Sequence, residues 1–107
     1  MSARESNITM PAGFDFETVA ASQTDQVMGA VGAVGDRIER LIITSNTAAS
    51  ATVTLKDGAG ASMPLLVGSA TTPLGVFTVQ LGIYSVNGAW LVTTGAGATV
   101  VAIGRFT

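Results

Sequence analysis

Apolar and polar side chains alternate with a period of two along much of the chain, as expected for strands that bury one face and expose the other. Residues 52–56 read TVTLK, so Val53 and Leu55 are predicted to point inward and Lys56 outward. Residues 75–81, GVFTVQL, alternate in the same way. No segment has a convincing helical pattern of apolar residues, so the sequence predicts an all-β protein.

Short β-rich segments separated by glycine-rich turns recur at a spacing of roughly 8–12 residues. This spacing is typical of an antiparallel β-sandwich or barrel, and about eight strands suit a jelly roll, with a partly open barrel as the alternative. The predicted strands lie around Val19, around Val27 and Met28, and over residues 36–45, 51–56, 62–67, 73–86, 89–94 and 99–106.

The strand over residues 36–45, DRIERLIITS, is predicted from its β-branched end and the polar loop that follows it. Regular alternation divides its side chains between two faces. One face then carries Ile38, Arg40 and Ile42, and the other carries Arg37, Glu39, Leu41 and Ile43.

Residues 82–94, GIYSVNGAWLVTT, carry the strongest short hairpin signal, because Asn87 and Gly88 suit a two-residue type I′ turn. Such a turn would leave both faces of the hairpin apolar, whereas small soluble proteins normally expose one polar face. We therefore predict that one face belongs to the core and the other to a subunit contact. The two faces are Tyr84, Val86 and Leu91, and Ile83, Trp90 and Val92.

The N-terminal segment differs from the rest of the chain. Pro11 and Gly13 stand among polar residues, which predicts an extended arm over residues 1–17. The remaining residues, 18–107, are enough for one β-sandwich domain and too few for two.

Charge is scarce and unevenly placed. Charged residues make up 11% of the chain and hydrophobic residues 48%. After Asp57 the only charged side chain is Arg105, so the second half would make a poorly soluble monomer surface and self-association is expected. The net charge of −2, with no basic cluster, argues against a nucleic-acid partner.

Candidate catalytic chemistry is limited because the chain has neither cysteine nor histidine. This removes the commonest general base and transition-metal ligand and all thiolate chemistry. The acid pairs are interpreted as solvated surface, so we predict a non-enzyme without cofactor or metal. No apolar run reaches the roughly 18 residues of a membrane helix, and the N-terminus lacks a secretory pattern, so synthesis in the cytoplasm without a membrane partner is expected. The pairs are Asp15 with Glu17, Asp36 with Glu39, and Asp25 with Asp57.

Two segments in roughly residues 37–107 read RIERLIITSNTAASATVTLKDGAGASMPLLVGS and GVFTVQLGIYSVNGAWLVTTGAGATVVAIGRF. Over this range the chain resembles capsid decoration, or cement, proteins of tailed bacteriophages. The resemblance rests on strands rich in Ala, Gly, Thr and Val, on the NG-x-W segment and on the closing GRF. The resemblance implies a jelly-roll or β-tulip fold, a homotrimer, and binding to the major capsid protein on the outside of the virion.

These expectations combine into one predicted function, a non-enzymatic virion protein that binds the capsid surface as an oligomer and stabilises the shell. The N-terminal arm would reach a neighbouring capsomer. A phage tail, collar or fibre component is one alternative. A small carbohydrate-binding module is another, and it would require Trp90 or Tyr84 to be exposed on a concave face. The predicted interface residues are Phe14, Phe16, Ile83, Tyr84, Trp90, Leu91 and Val92.

Overall fold

The computed structural model describes residues 14–30, 33–46, 52–68 and 73–106, which form eight strands and contain no helix that could span a membrane. This confirms the all-β prediction, and each strand overlaps a segment that the alternation indicates. The strands are β1 (Asp15–Val19), β2 (Gln26–Met28), β3 (Arg37–Ser45), β4 (Val53–Asp57), β5 (Met63–Leu66), β6 (Gly75–Tyr84), β7 (Trp90–Thr93) and β8 (Ala98–Arg105).

The strands form two antiparallel four-stranded sheets, in the orders β1-β8-β3-β6 (the first sheet) and β2-β7-β4-β5 (the second sheet). β1 pairs with β8, β2 with β7, β3 with β6, and β4 with β5. The four strands of the first half of the chain therefore pair with the four strands of the second half in reverse order, as in one long antiparallel hairpin folded into two layers. This is the arrangement of a jelly roll, and the separate sheets make it a sandwich instead of a partly open barrel.

The core lies between the two sheets and is built from the inward positions of the alternating strands. Val53 and Leu55 of β4 are fully buried, as the alternation predicts. The largest buried side chain is Trp90, whose indole Nε1 donates a hydrogen bond of 2.9 Å to the Asp36 carbonyl oxygen. This bond satisfies the one polar atom of the indole, so the ring can fill the core without a desolvation penalty.

Strand β3 departs from the regular alternation that the sequence predicts. Ile38 is fully buried on the same inner face as Leu41 and Ile43, while Arg40 points outward. The register with β8 shifts between Ile38 and Arg40, because Glu39 is an extra residue in a β-bulge. The predicted assignment of Ile38 to the face of Arg40 is therefore wrong.

The predicted hairpin over residues 82–94 does not form. β6 belongs to the first sheet and β7 to the second, and residues 85–89 cross from one layer to the other. Asn87 lacks the positive φ that a type I′ turn requires. The predicted partners are replaced as well, because Tyr84 pairs with Arg37 and Leu91 pairs with both Val27 and Lys56.

The crossing segment is held by the end of β4. The Asp57 carboxylate accepts hydrogen bonds from the backbone N–H groups of Val86, at 2.8 Å, and Asn87, at 2.9 Å. The Gly58 N–H donates to the Ala89 carbonyl oxygen at 3.0 Å. These bonds satisfy backbone groups that a hairpin turn would otherwise pair, and they favour the crossover over the hairpin.

The N-terminal boundary also differs from the prediction. β1 begins at Asp15 and pairs along its whole length with β8, so residues 15–17 belong to the sandwich and the boundary predicted at residue 17 falls inside a strand. The remainder of the predicted arm, residues 1–13, lies outside the described residues.

Replacing Asp57 with Asn should destabilise the fold through the crossing segment. The amide keeps one acceptor oxygen in place of two charged ones, so the free energy of unfolding should fall by about 1–3 kcal/mol in urea titrations. Asp25→Asn is the matched control: it removes an exposed ion pair with Lys56 at 3.5 Å, while the amide oxygen can still accept the Thr93 hydroxyl, so it should cost less than about 1 kcal/mol. Equal losses in the two variants would contradict this role for Asp57.

Gly58 provides a second test of the crossing. Its φ is +55°, and an added Cβ would lie 2.7 Å from the Asn87 carbonyl carbon and 2.8 Å from the Gly88 nitrogen. Gly35 also has a positive φ, of +88°, but nothing lies within 4 Å of its Cβ position. Gly35→Ala should cost about 1–2 kcal/mol for the left-handed backbone alone. Gly58→Ala should lower the free energy of unfolding by about 1–3 kcal/mol more than Gly35→Ala does, because the crossing segment must also move. Equal losses in the two variants would show that Gly58 and the crossing segment are not in close contact.

Candidate interaction surface

Two of the predicted interface residues lie in the core. Trp90 is 1% exposed and Val92 is fully buried, so neither is available to another subunit. Ile83 does not share their face, because β6 and β7 lie in different sheets. The prediction that these residues form an interface is wrong, because it rests on the cross-strand partners of a hairpin that does not form.

The other predicted residues are exposed or half-buried but do not form one surface. Phe16, 53% exposed, and Tyr84, 60% exposed, lie on the outer face of the first sheet at opposite edge strands. Leu91 is half-buried on the outer face of the second sheet, and Phe14 is half-buried just before β1. No single partner surface could contact all of these side chains.

The structure brings together a different set of residues, on the outer face of the first sheet. Thr18 lies opposite Val101, Val101 opposite Ile42, and Ile42 opposite Thr78. In the adjacent row, Thr44 lies between Thr99 and Val76. All seven side chains are β-branched and none is charged. We call this set the β-branched patch: Thr18, Ile42, Thr44, Val76, Thr78, Thr99 and Val101.

The β-branched patch is accessible to solvent and to a partner. Val76 is 64% exposed and Thr18 and Thr78 are also exposed, while the residues of the two central strands are half-buried by their neighbours. Branching at Cβ restricts the χ1 rotamers of these side chains. Ordering them against a partner costs less conformational entropy than ordering lysine or glutamate, so the patch is suited to contact.

Charged residues lie at one end of the same face. The Arg37 Nε is 2.9 Å from the Glu39 Oε1, and the guanidinium carbon lies 5.3 Å from the centre of the Tyr84 ring. Hydrogen bonding with the Tyr84 side chain, and next with the Glu39 carboxylate, raises the pKa of Arg37 above its usual value. The face is therefore polar at this end and uncharged across the β-branched patch.

The outer face of the second sheet has a different character. The Asp25 backbone N–H donates to the Thr93 hydroxyl at 2.8 Å, and that hydroxyl donates to the Asp25 carboxylate at 3.1 Å. The Lys56 Nζ lies 3.5 Å from the same carboxylate. An exposed cluster of this kind is well solvated, so this face is the less suitable one for a dry contact.

Sequence reasoning missed the β-branched patch because its members come from four separate strands. The available signal was the identity of the outward positions, which are threonine, valine or isoleucine in segments as distant as residues 18 and 101. Only the strand order and register place them side by side.

The β-branched patch consists of Thr, Val and Ile side chains alone. Within the described ranges, no three acidic side chains are grouped so that they could hold a metal ion. Of the two aromatic residues considered for sugar stacking, Trp90 is buried and cannot stack on a sugar, whereas Tyr84 is exposed, with the Arg37 guanidinium carbon 5.3 Å from the centre of its ring. Comparisons of the chain with protein-family models, curated proteins and solved structures find no match.

The single Trp gives a direct test of this placement. Because Trp90 is buried, native fluorescence should be blue-shifted relative to the unfolded chain and resistant to quenching by iodide. Simple sugars should leave the spectrum unchanged. The urea-unfolded chain is the control, in which iodide should quench strongly; strong quenching of the native protein would contradict the burial of Trp90.

Proposed function

We propose that this protein is a non-enzymatic structural protein of a tailed-bacteriophage virion, which binds the outer surface of the capsid and stabilises the shell. The β-branched patch supports this proposal most directly, because a small protein with few charges turns seven uncharged β-branched side chains of one sheet toward solvent. The family resemblance of residues 37–107 supplies the identity of the partner, the major capsid protein.

The distribution of charge over the first sheet fits the anatomy of a protein interface. Interface centres are depleted of charged residues and their rims are polar. The β-branched patch would form the centre, and Arg37 and Glu39 would lie at the rim. Rim charges contribute mainly to orientation and to the rate of association.

Binding of this kind would stabilise a shell by mass action. A ligand that binds the assembled shell and not its dissociated subunits shifts the equilibrium toward the shell, by about 2.7 kcal/mol per site at a hundred times its Kd. No catalytic group is required for this role, which is consistent with a chain that lacks histidine and cysteine.

A tail, collar or fibre component is the second candidate, since it would need the same stable β-domain. The two roles differ in location, and labelling purified virions with an antibody to the protein distinguishes them. Decoration should label the whole shell, whereas a tail or collar component should label one end of the particle.

Charge placed in the β-branched patch should abolish capsid binding. Val101 is half-buried on the outer face of the first sheet, next to the edge strand β1, and Val101→Lys puts a charge in a contact that excludes water. We expect at least a hundredfold loss of affinity, or about 2.7 kcal/mol. The measurement is co-sedimentation with shells of the major capsid protein encoded in the same virion gene cluster.

Leu91→Lys is the matched control, because Leu91 is half-buried on the outer face of the second sheet, next to the edge strand β2. It should bind shells like the wild type. Loss of binding only in Leu91→Lys would place the interface on the second sheet, and failure of the folded wild type to bind any shell would reject the proposed function.

A further inference from the structure

The two sheets have four edge strands, and three of them carry features that prevent pairing with another chain. β1 contains Asp15 and Glu17, and charges on an edge strand oppose strand addition. β2 has only three residues. β5 has four residues, includes Pro64, and pairs with β4 through a shift in register.

The fourth edge strand, β6, has no such feature over residues 75–81, since its one irregularity lies at Gly82, near the end of the strand. It is the longest strand, with ten residues reading GVFTVQLGIY, and contains neither charge nor proline. In the part of the chain that the structure describes, it pairs only with β3, so its other edge offers backbone N–H and C=O groups to a partner. A long, uncharged edge is a template for strand addition.

The exposed apolar side chains at β6 favour a second copy of the same strand as the partner. On the outer face Val76 is exposed at one end of β6 and Tyr84 at the other, and Leu74, 63% exposed, directly precedes the strand. An antiparallel pair of β6 strands related by a twofold axis would place the Leu74 end of each copy beside the Tyr84 end of the other. Each exposed apolar end is then covered by the opposite end of the partner, as an isologous contact requires.

We propose that two copies of this protein associate through antiparallel pairing of β6, which joins their first sheets into one continuous eight-stranded sheet. Backbone hydrogen bonds along the regular part of β6 hold the pair, and the glycine bulge at Gly82, with φ of +67°, ends the regular part. This contact does not depend on a capsid partner and does not rest on the proposed function.

The test is the mass of the purified protein by size exclusion with light scattering. The wild type should have twice the 10.8 kDa mass of the chain. Thr78 is exposed at the middle of the regular part of β6, residues 75–81, so a twofold axis through that middle sets it against its own copy. Thr78→Lys should therefore give the monomer mass, because two like charges would face each other. Thr18→Lys is the matched control: it makes the same change on the outer face of the same sheet, at the opposite edge, and should remain a dimer.

Cross-linking provides an independent readout, since the chain has no native cysteine. A short bismaleimide should link Thr78→Cys into covalent dimers. Thr18→Cys should give no covalent dimer, although it still associates through β6. Far-UV circular dichroism confirms that each variant is folded. A monomeric or trimeric wild type, a dimer that Thr78→Lys leaves intact, or cross-linking of Thr18→Cys in place of Thr78→Cys would each overturn the inference, whatever the outcome of capsid binding.

Discussion

The fold depends on the crossing of residues 85–89 from one sheet to the other. If β6 and β7 paired as a local hairpin, β7 could not lie between β2 and β4, and the second sheet would lose the strand that joins its parts. The Asp57 carboxylate and the Gly58 backbone hold the crossing in place from the end of β4. The jelly-roll path of the chain thus depends on contacts between residues about thirty positions apart. The strand pairing of the fold as a whole is also mostly non-local.

Local pattern and tertiary context determined different parts of this structure. The strands and most inward positions follow from alternation alone, because burying every second side chain is a property of each segment by itself. The predicted hairpin at Asn87 and Gly88 does not form, because the two charge-assisted hydrogen bonds that backbone N–H groups of this segment donate to a distant carboxylate outweigh the preference of a turn sequence. The β-bulge at Glu39 could not be read from the sequence, since a bulge is defined by the partner strand.

The chain has few charged side chains, and some of its carboxylates accept hydrogen bonds from the backbone of loops. The Glu17 carboxylate accepts the Gly29 N–H at 3.0 Å, and Asp57 accepts two backbone N–H groups. These two acids therefore hold loops between strands instead of solvating a sheet face. Acids committed to loops in this way leave the outer face of the first sheet uncharged over the β-branched patch.

The two surfaces inferred on the first sheet meet at β6, whose Val76 and Thr78 belong to the β-branched patch and also lie beside the paired edge. Pairing through β6 uses backbone groups in the plane of the sheet, whereas the patch side chains on β1, β3 and β8 project perpendicular to it, away from that edge. A dimer joined at β6 would place two patches on one continuous sheet, so that both could contact the same partner surface. The second contact would then be intramolecular, and a weak interaction at each patch would suffice for durable binding.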